Sequence, residues 1–482
     1  DLSFGEIARL PAEDTQLTLA ETPVLQTSEK GLLDTLQRVA DLLSSELGVF
    51  DPYAWRPKHG PGAVSDHRYN EYKYSFTNWP DRLNSVFPDD AFAFANADQV
   101  DWDATEVDRQ KWARCPPARL LAVPKTLAAP RLIASEPTSL QWCQQVVKDY
   151  FYSRVRATRL SSMIDFFDQE KNGQLALEAS RDGTHATIDL SSASDRVSCW
   201  HVERLFRRLP SLLDALQATR SVWIQQDICK YSPRYYYLRK YSTMGNATTF
   251  PVQSILFLAI ACASLAYARG AKVNYKLLKE CARSGVRVFG DDIIVPGDCS
   301  GTLLELLGTL SMRVNTKKTF EVGNFRESCG VDAFRGHDVT TVSVLDVPKR
   351  AGPGSIVSTV DVHHNLCSAG FMITAQWLQK TAGRICGNTI RFVRHGSGRF
   401  GWSDMYGTTP TRMKMRMDRD THTLQVFCLN PRVREERVQP NTPACLLQFF
   451  TEATPIVTSA VSHSGHLGRR PKVGLRLGWA AA

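Results

Sequence analysis

The amino-acid sequence predicts a mixed α/β (α+β) fold. Short apolar runs of strand length occur at 187–190, 286–289 and 293–295, and the last two flank a short acidic turn, which is typical of a hairpin. A long apolar stretch after Pro251 predicts a buried helix. The chain has 482 residues, of which 43% are hydrophobic and 22% are charged, so we expect a large core and exclude intrinsic disorder.

The remaining elements follow from local patterns along the chain. Apolar residues recur at helical spacing over 32–47, and Gly48 marks the predicted end of that helix. Short strands are expected within 120–141, where prolines interrupt the apolar runs. Residues 303–310 again have a helical pattern. Helices and strands therefore alternate irregularly, as expected for an α+β chain.

The charge balance favours a polyanionic partner without proving one. Lys and Arg number 58 and Asp and Glu number 49, which gives a net charge of +9, but many enzymes with neutral substrates are equally basic. Tyrosines between residues 231 and 241 lie beside basic residues. This pattern fits base stacking and an ordinary half-buried strand equally well, so nucleic-acid binding remains an open expectation at this point.

Neither a membrane span nor a signal peptide is expected. The longest apolar run, 255–268, has 14 residues, and spanning a bilayer requires about 18 or more. Asp1 begins a mixed acidic stretch that lacks the features of a signal peptide. Because the chain does not begin with Met, the second observation says little about where the protein acts.

Two adjacent acidic residues, Asp291 and Asp292, lie at the predicted hairpin turn. Neighbouring carboxylates repel each other, and their oxygens suit Mg²⁺ or Mn²⁺; the alternative is an ordinary solvated turn. Asp189, at the end of an earlier predicted strand, would add a third carboxylate. Three carboxylates from two strand ends can hold two metal ions about 3.5–4 Å apart, which would stabilise both oxygens of a phosphoryl displacement.

Five segments in fixed order carry a resemblance to a known family. The series resembles the palm of viral RNA-dependent RNA polymerases and is most similar to the replicase catalytic subunits of the single-stranded RNA bacteriophages, the leviviruses. The order and spacing make the resemblance specific over a little under half of the chain. The segments are VPKTLAAPRLIASEP (Val123–Pro137), TIDLSSASD (Thr187–Asp195), STMGNATTF (Ser242–Phe250), VFGDDIIVP (Val288–Pro296) and NTKKTFEVGNFRESCG (Asn315–Gly330).

The resemblance implies a right-hand polymerase with fingers, palm and thumb, in which the palm is the antiparallel sheet backed by helices. Residues 1–60 would form an N-terminal helical segment bridging fingers and thumb, residues 61–180 the fingers, and residues 181–345 the palm. Within the palm range, residues 205–242 would be an insertion that belongs to the fingers. Residues 346–482 would form the thumb and the C-terminal region.

The resemblance also implies roles for the acidic residues. Asp189 and Asp291 resemble the shared ligands of two Mg²⁺ ions, which Mn²⁺ could replace, and Asp292 resembles an accessory ligand. Asp195 resembles the carboxylate that accepts a hydrogen bond from the ribose 2′-hydroxyl. Such a site would reject deoxynucleotides, because its polar group would be left without a partner.

Basic and small residues complete the implied nucleotide site. Lys125 and Arg131 resemble the cations over the incoming triphosphate, although exposed loop charges would also explain them. Gly245 and Thr249 match a G-x-x-x-T pattern at the start of the palm helix, where glycine lets the backbone approach the nucleotide closely. Asn246 is a candidate member of the 2′-hydroxyl network.

The chain departs from the wider viral pattern at two positions. The viral pattern has Ser directly before the glycine that corresponds to Gly245, and this chain has Met244 there. The pattern has Asn four residues after the threonine that corresponds to Thr249, and this chain has Gln253 there. Further along, Lys317 and Lys318 occupy the place of a lysine beside the pyrophosphate. Either could protonate the leaving group as a general acid, and a solvated basic turn would explain them equally well.

The implied activity is RNA-directed RNA polymerisation, which transfers nucleoside monophosphates from NTPs to an RNA 3′-hydroxyl and so replicates a viral RNA genome. The implied partners are template and product RNA, together with the host translation elongation factors Tu and Ts and a ribosomal RNA-binding protein, in the cytoplasm of the infected bacterium. Two alternatives stay open. Asp195 argues against a reverse transcriptase. An RNA-binding scaffold with an inactive palm is disfavoured by five intact residues: Asp189, Asp291, Asp292, Lys125 and Arg131.

Overall fold

The computed structural model describes most of the chain, and the statements below concern that part. The described residues are 27–60, 62–66, 73–74, 76–94, 106–124, 130–344, 353–386, 389–397, 399–404, 414–434 and 472–481. They contain both helices and strands throughout, which confirms the predicted mixed α/β class.

The described α-helices lie between Thr27 and Cys386, and short 3₁₀ turns occur at Pro52–Ala54, Arg159–Ser162 and Gly297–Cys299. In chain order the α-helices are α1 (Thr27–Leu47), α2 (Asp81–Asn84), α3 (Asp89–Phe92), α4 (Glu106–Trp112), α5 (Thr138–Ala157), α6 (Glu170–Asp182), α7 (Ala193–Arg196), α8 (Cys199–Leu205), α9 (Pro210–Thr219), α10 (Thr249–Ala268), α11 (Tyr275–Arg283), α12 (Ser300–Thr309), α13 (Pro353–Ser368) and α14 (Met372–Cys386).

The strands are mostly short and lie in several small sheets. In chain order they are β1 (Ala118–Pro124), β2 (Pro130–Ser135), β3 (His185–Ile188), β4 (Trp223–Gln225), β5 (Tyr235–Tyr237), β6 (Arg287–Phe289), β7 (Asp292–Pro296), β8 (Phe325–Ser328), β9 (Val331–Phe334), β10 (His337–Asp338), β11 (Phe392–Arg394), β12 (Trp402–Asp404), β13 (Met415–Met417), β14 (Leu424–Arg434) and β15 (Lys472–Ala481).

The described residues divide into two compact units. The first contains those up to Leu121 and those from Leu132 to Thr340, and the second contains those of Ala122–Arg131 and those from Thr341 onward. In the second unit α13 packs against α14, and β14 is the central strand of an antiparallel sheet with β13 and β15. The predicted boundaries of fingers, palm and thumb stay predictions.

The sheet that carries the acidic residues belongs to the first unit. It is antiparallel and has the order β3-β7-β6. The predicted hairpin is confirmed with one difference: Asp292 is the first residue of β7 and pairs with Phe289, so Gly290 and Asp291 alone form the turn. The backbone of Gly290 has φ +64°, a value that two-residue hairpin turns require and that glycine adopts without strain.

Helix α10 lies behind this sheet. It contacts β6 and β7 and also packs on α1 and α12, and the predicted helix after Pro251 is thereby confirmed with an earlier start. Within the described residues α10 is the one helix long and apolar enough to cross a bilayer, and 94% of its most apolar window is buried inside the protein. The helix is longer than the 14-residue apolar run 255–268 that the sequence contains. A helix that is apolar on all sides and buried in this way is typical of a protein core.

Two further predictions concern local elements. The helix expected over 32–47 is present as α1, and Gly48 follows it with φ +77°, as is usual for a helix C-terminus. The tyrosine-rich segment contains β5, in which Tyr236 packs on an apolar cluster while Tyr235 and Tyr237 are exposed. The interpretation as a half-buried strand is therefore confirmed. The exposed Tyr235 and Tyr237 leave the alternative, stacking on nucleic-acid bases, untested.

Candidate active site

The ends of two neighbouring strands bring the acidic residues together. Ile188 of β3 pairs with Ile293 of β7 in antiparallel register. Continuing that register by one residue places Asp189 opposite Asp292, and Asp291 lies in the adjoining turn. Directly opposed residues of an antiparallel pair have Cα atoms about 4.5–5.5 Å apart, so residues distant in sequence share one edge of the sheet.

Burial and neighbouring negative charge raise the proton affinity of two of these carboxylates, Asp292 and Asp189. Burial raises the pKa of Asp292 to about 7, and the negative charges of Asp291 and Asp189 add to the effect, while hydrogen bonds from Cys329 oppose it. Burial also raises the pKa of Asp189, with a further contribution from the charge of Asp291. A hydrogen bond from Asn315 Nδ2 to Asp189 Oδ2, 2.7 Å long, acts in the opposite direction.

The three acidic residues have the donor chemistry that a divalent cation requires. The carboxylates of Asp189, Asp291 and Asp292 supply the oxygen ligands that Mg²⁺ and Mn²⁺ prefer. A bound cation would relieve the repulsion between their negative charges. Within the described part of the chain, no three His, Cys, Asp or Glu side chains already lie together as a ready-made metal site. The hydrogen bonds of Asn315 to Asp189 and of Cys329 to Asp292 hold two of the carboxylates separately.

The two candidate general acids differ in their surroundings. Lys318 forms an ion pair with Glu327 and lies close enough to Asp189 for their charges to interact. The hydrogen bond to Glu327 is the main reason why the pKa of Lys318 is raised. Both lysines are exposed, and Lys317 forms no ion pair among the described residues. Lys318 is therefore the lysine that these interactions connect to the acidic residues.

The loop before α10 is held against β2 by close backbone contact. The amide of Ala134 donates to the carbonyl of Met244 over 2.7 Å. Gly245 has φ +117°, and a Cβ there would lie 1.9 Å from the carbonyl oxygen of Ala134. At the start of the helix Thr249 Oγ1 donates to the carbonyl of Thr243 over 2.7 Å, so glycine and threonine both shape this loop.

Two amides in this region have a polar atom without a hydrogen-bond partner among the described residues. They are Nδ2 of Asn246 and Oε1 of Gln253, both buried. Asn246 Oδ1 is engaged by Thr248, whose amide and hydroxyl donate to it over 2.8 and 2.7 Å. Gln253 lies beside the acidic turn, because its Nε2 would be 3.2 Å from a Cβ on Gly290.

A family model matches the part of the chain that contains these features. The model described as RNA replicase, beta-chain matches residues 25–347, well over half of the chain. The chain belongs to the RNA replicase beta-chain family. The matched range contains the whole sheet β3-β7-β6, α10 and the loop before it, which confirms the resemblance predicted from the sequence.

Individual members of this replicase family are similar over a shorter range. The RNA-directed RNA polymerase beta chain of Enterobacteria phage GA is 34% identical over 48% of this chain and 40% of its own length. The RNA-directed RNA polymerase subunit beta of Enterobacteria phage SP is 36% identical over 52% of this chain and 38% of its own length. The corresponding subunit of Qbeta virus (strain MX1) is 35% identical over 46% and 34%. The matched region thus spans about two fifths or less of each relative.

The structure does not place the two predicted triphosphate-binding cations at the carboxylates. Arg131 is exposed in β2 and belongs to the second unit. Lys125 lies outside the described residues. Their grouping with the acidic residues therefore stays a prediction.

Asp195, the predicted ribose-sensing residue, lies in α7 and forms an ion pair with Lys240. The sequence analysis did not identify Lys240. The pairing joins positions 45 residues apart in the chain, and no spacing rule for helices or strands connects them.

Glu136 is a second residue that the sequence analysis did not identify. Its fully buried carboxylate accepts hydrogen bonds from Ser221, Gln144 and Thr243, at 2.5, 3.3 and 3.4 Å. Burial raises its pKa, and these hydrogen bonds limit the rise. Gln144 Oε1 also accepts from the amide of Ala247 over 3.2 Å. The signal available in the sequence was that Glu136 is the one acidic residue of the motif segment Val123–Pro137.

Proposed function

We propose that this chain carries the catalytic centre of an RNA-directed RNA polymerase that replicates a viral single-stranded RNA genome. It would transfer nucleoside monophosphates from NTPs to an RNA 3′-hydroxyl and release pyrophosphate. The single observation that carries the proposal is the pairing of β3 with β7, which sets Asp189 opposite Asp292 beside Asp291 in a member of the RNA replicase beta-chain family. The names of the similar phage proteins support the same activity.

The proposed arrangement is that of a right hand, with the β3-β7-β6 sheet and α10 in the palm. Asp189, Asp291 and Asp292 would hold two Mg²⁺ ions, and Mn²⁺ could replace them. When bound, the ions would lower the pKa of the attacking hydroxyl and neutralise charge on the phosphates. The protein's own contribution would then be to position the reacting groups and to supply complementary charge.

Other residues have supporting roles in this proposal. Lys125 and Arg131 would bind the triphosphate, and Asp195 would accept a hydrogen bond from the ribose 2′-hydroxyl. Lys318 would protonate the pyrophosphate leaving group, since it is the lysine whose charge interacts with Asp189. The loop containing Gly245, with Asn246 and Thr249, would border the nucleotide.

The proposed partners are template and product RNA and NTPs. The net charge of +9 suits binding to the RNA backbone, and RNA affinity should fall steeply as salt increases. The elongation factors Tu and Ts and a ribosomal RNA-binding protein of the host are proposed from the family resemblance alone. The proposed site of action is the cytoplasm of the infected bacterium.

The test is RNA synthesis by the purified chain on a template with a C-rich 3′ end, with Mg²⁺ and all four NTPs, in the presence and absence of a bacterial extract. The wild-type chain should make complementary RNA, and Asp291→Asn should abolish synthesis. Asp214→Asn is the matched control, because Asp214 is an exposed carboxylate on α9 of the same unit. It should leave synthesis unchanged.

Three results would contradict the proposal in different ways. Product from dNTPs in place of NTPs would indicate a reverse transcriptase. Full synthesis by Asp291→Asn would indicate that the carboxylate is not needed for catalysis. RNA binding without synthesis in either condition would indicate a scaffold.

A further inference from the structure

A buried lysine lies against the predicted ribose-sensing residue. Nζ of Lys240 forms an ion pair with Oδ1 of Asp195, and the two side chains are only 7% and 19% exposed. Lysine is rarely this buried unless it is paired. Because removing two charges from water is unfavourable, a buried ion pair is a weak source of stability by itself. The pair therefore calls for a role beyond stabilising the fold.

The backbone that carries Lys240 is fixed to the backbone next to Asp195. The guanidinium of Arg220 donates to the carbonyl of Lys240 over 3.0 Å and to two neighbouring carbonyls over 2.9 Å. The amide of Tyr241 donates to the carbonyl of Val197 over 2.8 Å, and Val197 directly follows α7. The ammonium group thus reaches the carboxylate from a rigid support, which is what precise positioning requires.

The ion pair occupies one oxygen of the carboxylate. Lys240 contacts Oδ1, and among the described residues no hydrogen bond to Oδ2 of Asp195 is formed. A carboxylate held at one oxygen keeps the other in a fixed direction, and the side chain retains 19% exposure. Oδ2 is thereby oriented and available to accept a hydrogen bond from a hydroxyl group.

We propose that Lys240 is a positioning residue for ribose selection: by holding Oδ1 of Asp195, it aims Oδ2 at the 2′-hydroxyl of the incoming nucleotide. The inference rests on the polymerase function proposed above. Lys240 itself touches neither the nucleotide nor the reacting atoms in this arrangement. Its loss would free the carboxylate to rotate and leave its charge without a counterion, so the hydrogen bond that distinguishes ribose from deoxyribose would weaken.

The experiment measures incorporation of a single ribonucleotide and of the matching deoxynucleotide by the full chain on an RNA primer–template hairpin. The readout is the ratio of the two kcat/KM values. Lys240→Met should lower this ratio by about tenfold or more, since hydrogen-bonding sites derive large discrimination from one hydroxyl. Lys240→Arg retains the cation and should keep the ratio closer to the wild-type value than Lys240→Met does.

Arg239→Met is the matched control. Arg239 is the adjacent exposed cation, so this variant removes the same charge one residue away, and it should leave the ratio unchanged. A purely structural role for Lys240 would lower both kcat/KM values together and leave their ratio unchanged, which would overturn the inference. If Lys240→Met does not fold, Lys240→Gln replaces it. The ratio of the two kcat/KM values then tests the inference in the same way.

The outcome separates this inference from the function on which it rests. A wild-type chain that extends the primer with neither nucleotide contradicts the polymerase function, and the inference falls with it. A wild-type chain that prefers ribonucleotides, together with a Lys240→Met variant that keeps the full preference, contradicts the inference alone. Asp195→Asn should reduce the ratio to a similar extent, and adding Lys240→Met to it should have little further effect, because both act through the same hydrogen bond.

Discussion

Gly245 and Ala134 approach so closely that no side chain fits between them. A Cβ at position 245 would lie 1.9 Å from the carbonyl oxygen of Ala134, and Gly245 has φ +117°. The amide of Ala134 also donates to the carbonyl of Met244 over 2.7 Å. Strand β2 and the loop before α10 are therefore joined at one point where only glycine is compatible with both the backbone angle and the space.

Gly245→Ala should consequently destabilise the protein and impair synthesis. Backbone strain and the forced separation from Ala134 should together lower the free energy of unfolding by about 3 kcal/mol, measured by urea denaturation. Gly183→Ala is the control for strain alone: Gly183 has φ +71° but open space around its Cα, so a loss of about 1 kcal/mol is expected. Equal losses in the two variants would show that the contact with Ala134 is unimportant.

Lys318→Ala should slow nucleotide addition much more than Lys317→Ala. Lys318 pairs with Glu327, its charge interacts with Asp189, and its ammonium group carries a proton at neutral pH. Loss of a general acid should lower the rate of single-nucleotide addition by about 10²-fold, measured by rapid quench. Both lysines are exposed, but Lys317 forms no ion pair among the described residues, so Lys317→Ala should remain close to the wild-type rate. The reverse order would assign the proton transfer to Lys317.

His201 should make the protein less stable in mild acid. Burial lowers the pKa of His201 from 6.5 to about 4, so the unfolded chain binds a proton at pH values where the folded chain does not. The stability linked to this group is fully present above pH 6.5 and is lost as the pH falls towards 4. The loss should reach about 3 kcal/mol near pH 4.

The contribution of His201 can be isolated by substitution. His201→Gln keeps an acceptor that can replace Nδ1 of His201, which accepts from the amide of Ser198 at the start of α8. Unfolding free energies measured at pH 7 and pH 4 should differ less in this variant than in wild type. The exposed His337 provides the control, and His337→Gln should retain the full pH dependence. A wild-type dependence in His201→Gln would contradict the prediction.

Local patterns in the sequence predicted the elements that build the acidic site. The helical spacing of apolar residues identified α1 and α10, and alternating apolar and turn residues identified the β6–β7 hairpin. Such patterns work because one face of each element must be buried, and burial leaves a periodic record along the chain. The assignment of Asp292 to the turn was less accurate, because the same residues fit either a longer turn or a longer strand.

The sequence by itself determined the family, the main elements and the acidic residues, since each depends on neighbouring positions or on ordered motifs. Only the tertiary structure decided which side chains meet: Lys240 with Asp195, Asn315 with Asp189, and Glu136 with its three donors. Lys240 and Asp195 are 45 residues apart in the chain, and Asn315 and Asp189 are 126 apart. The three donors to Glu136 lie between 8 and 107 residues from it. The formation of these contacts depends on how whole elements pack, and periodicity along a chain carries no record of that packing.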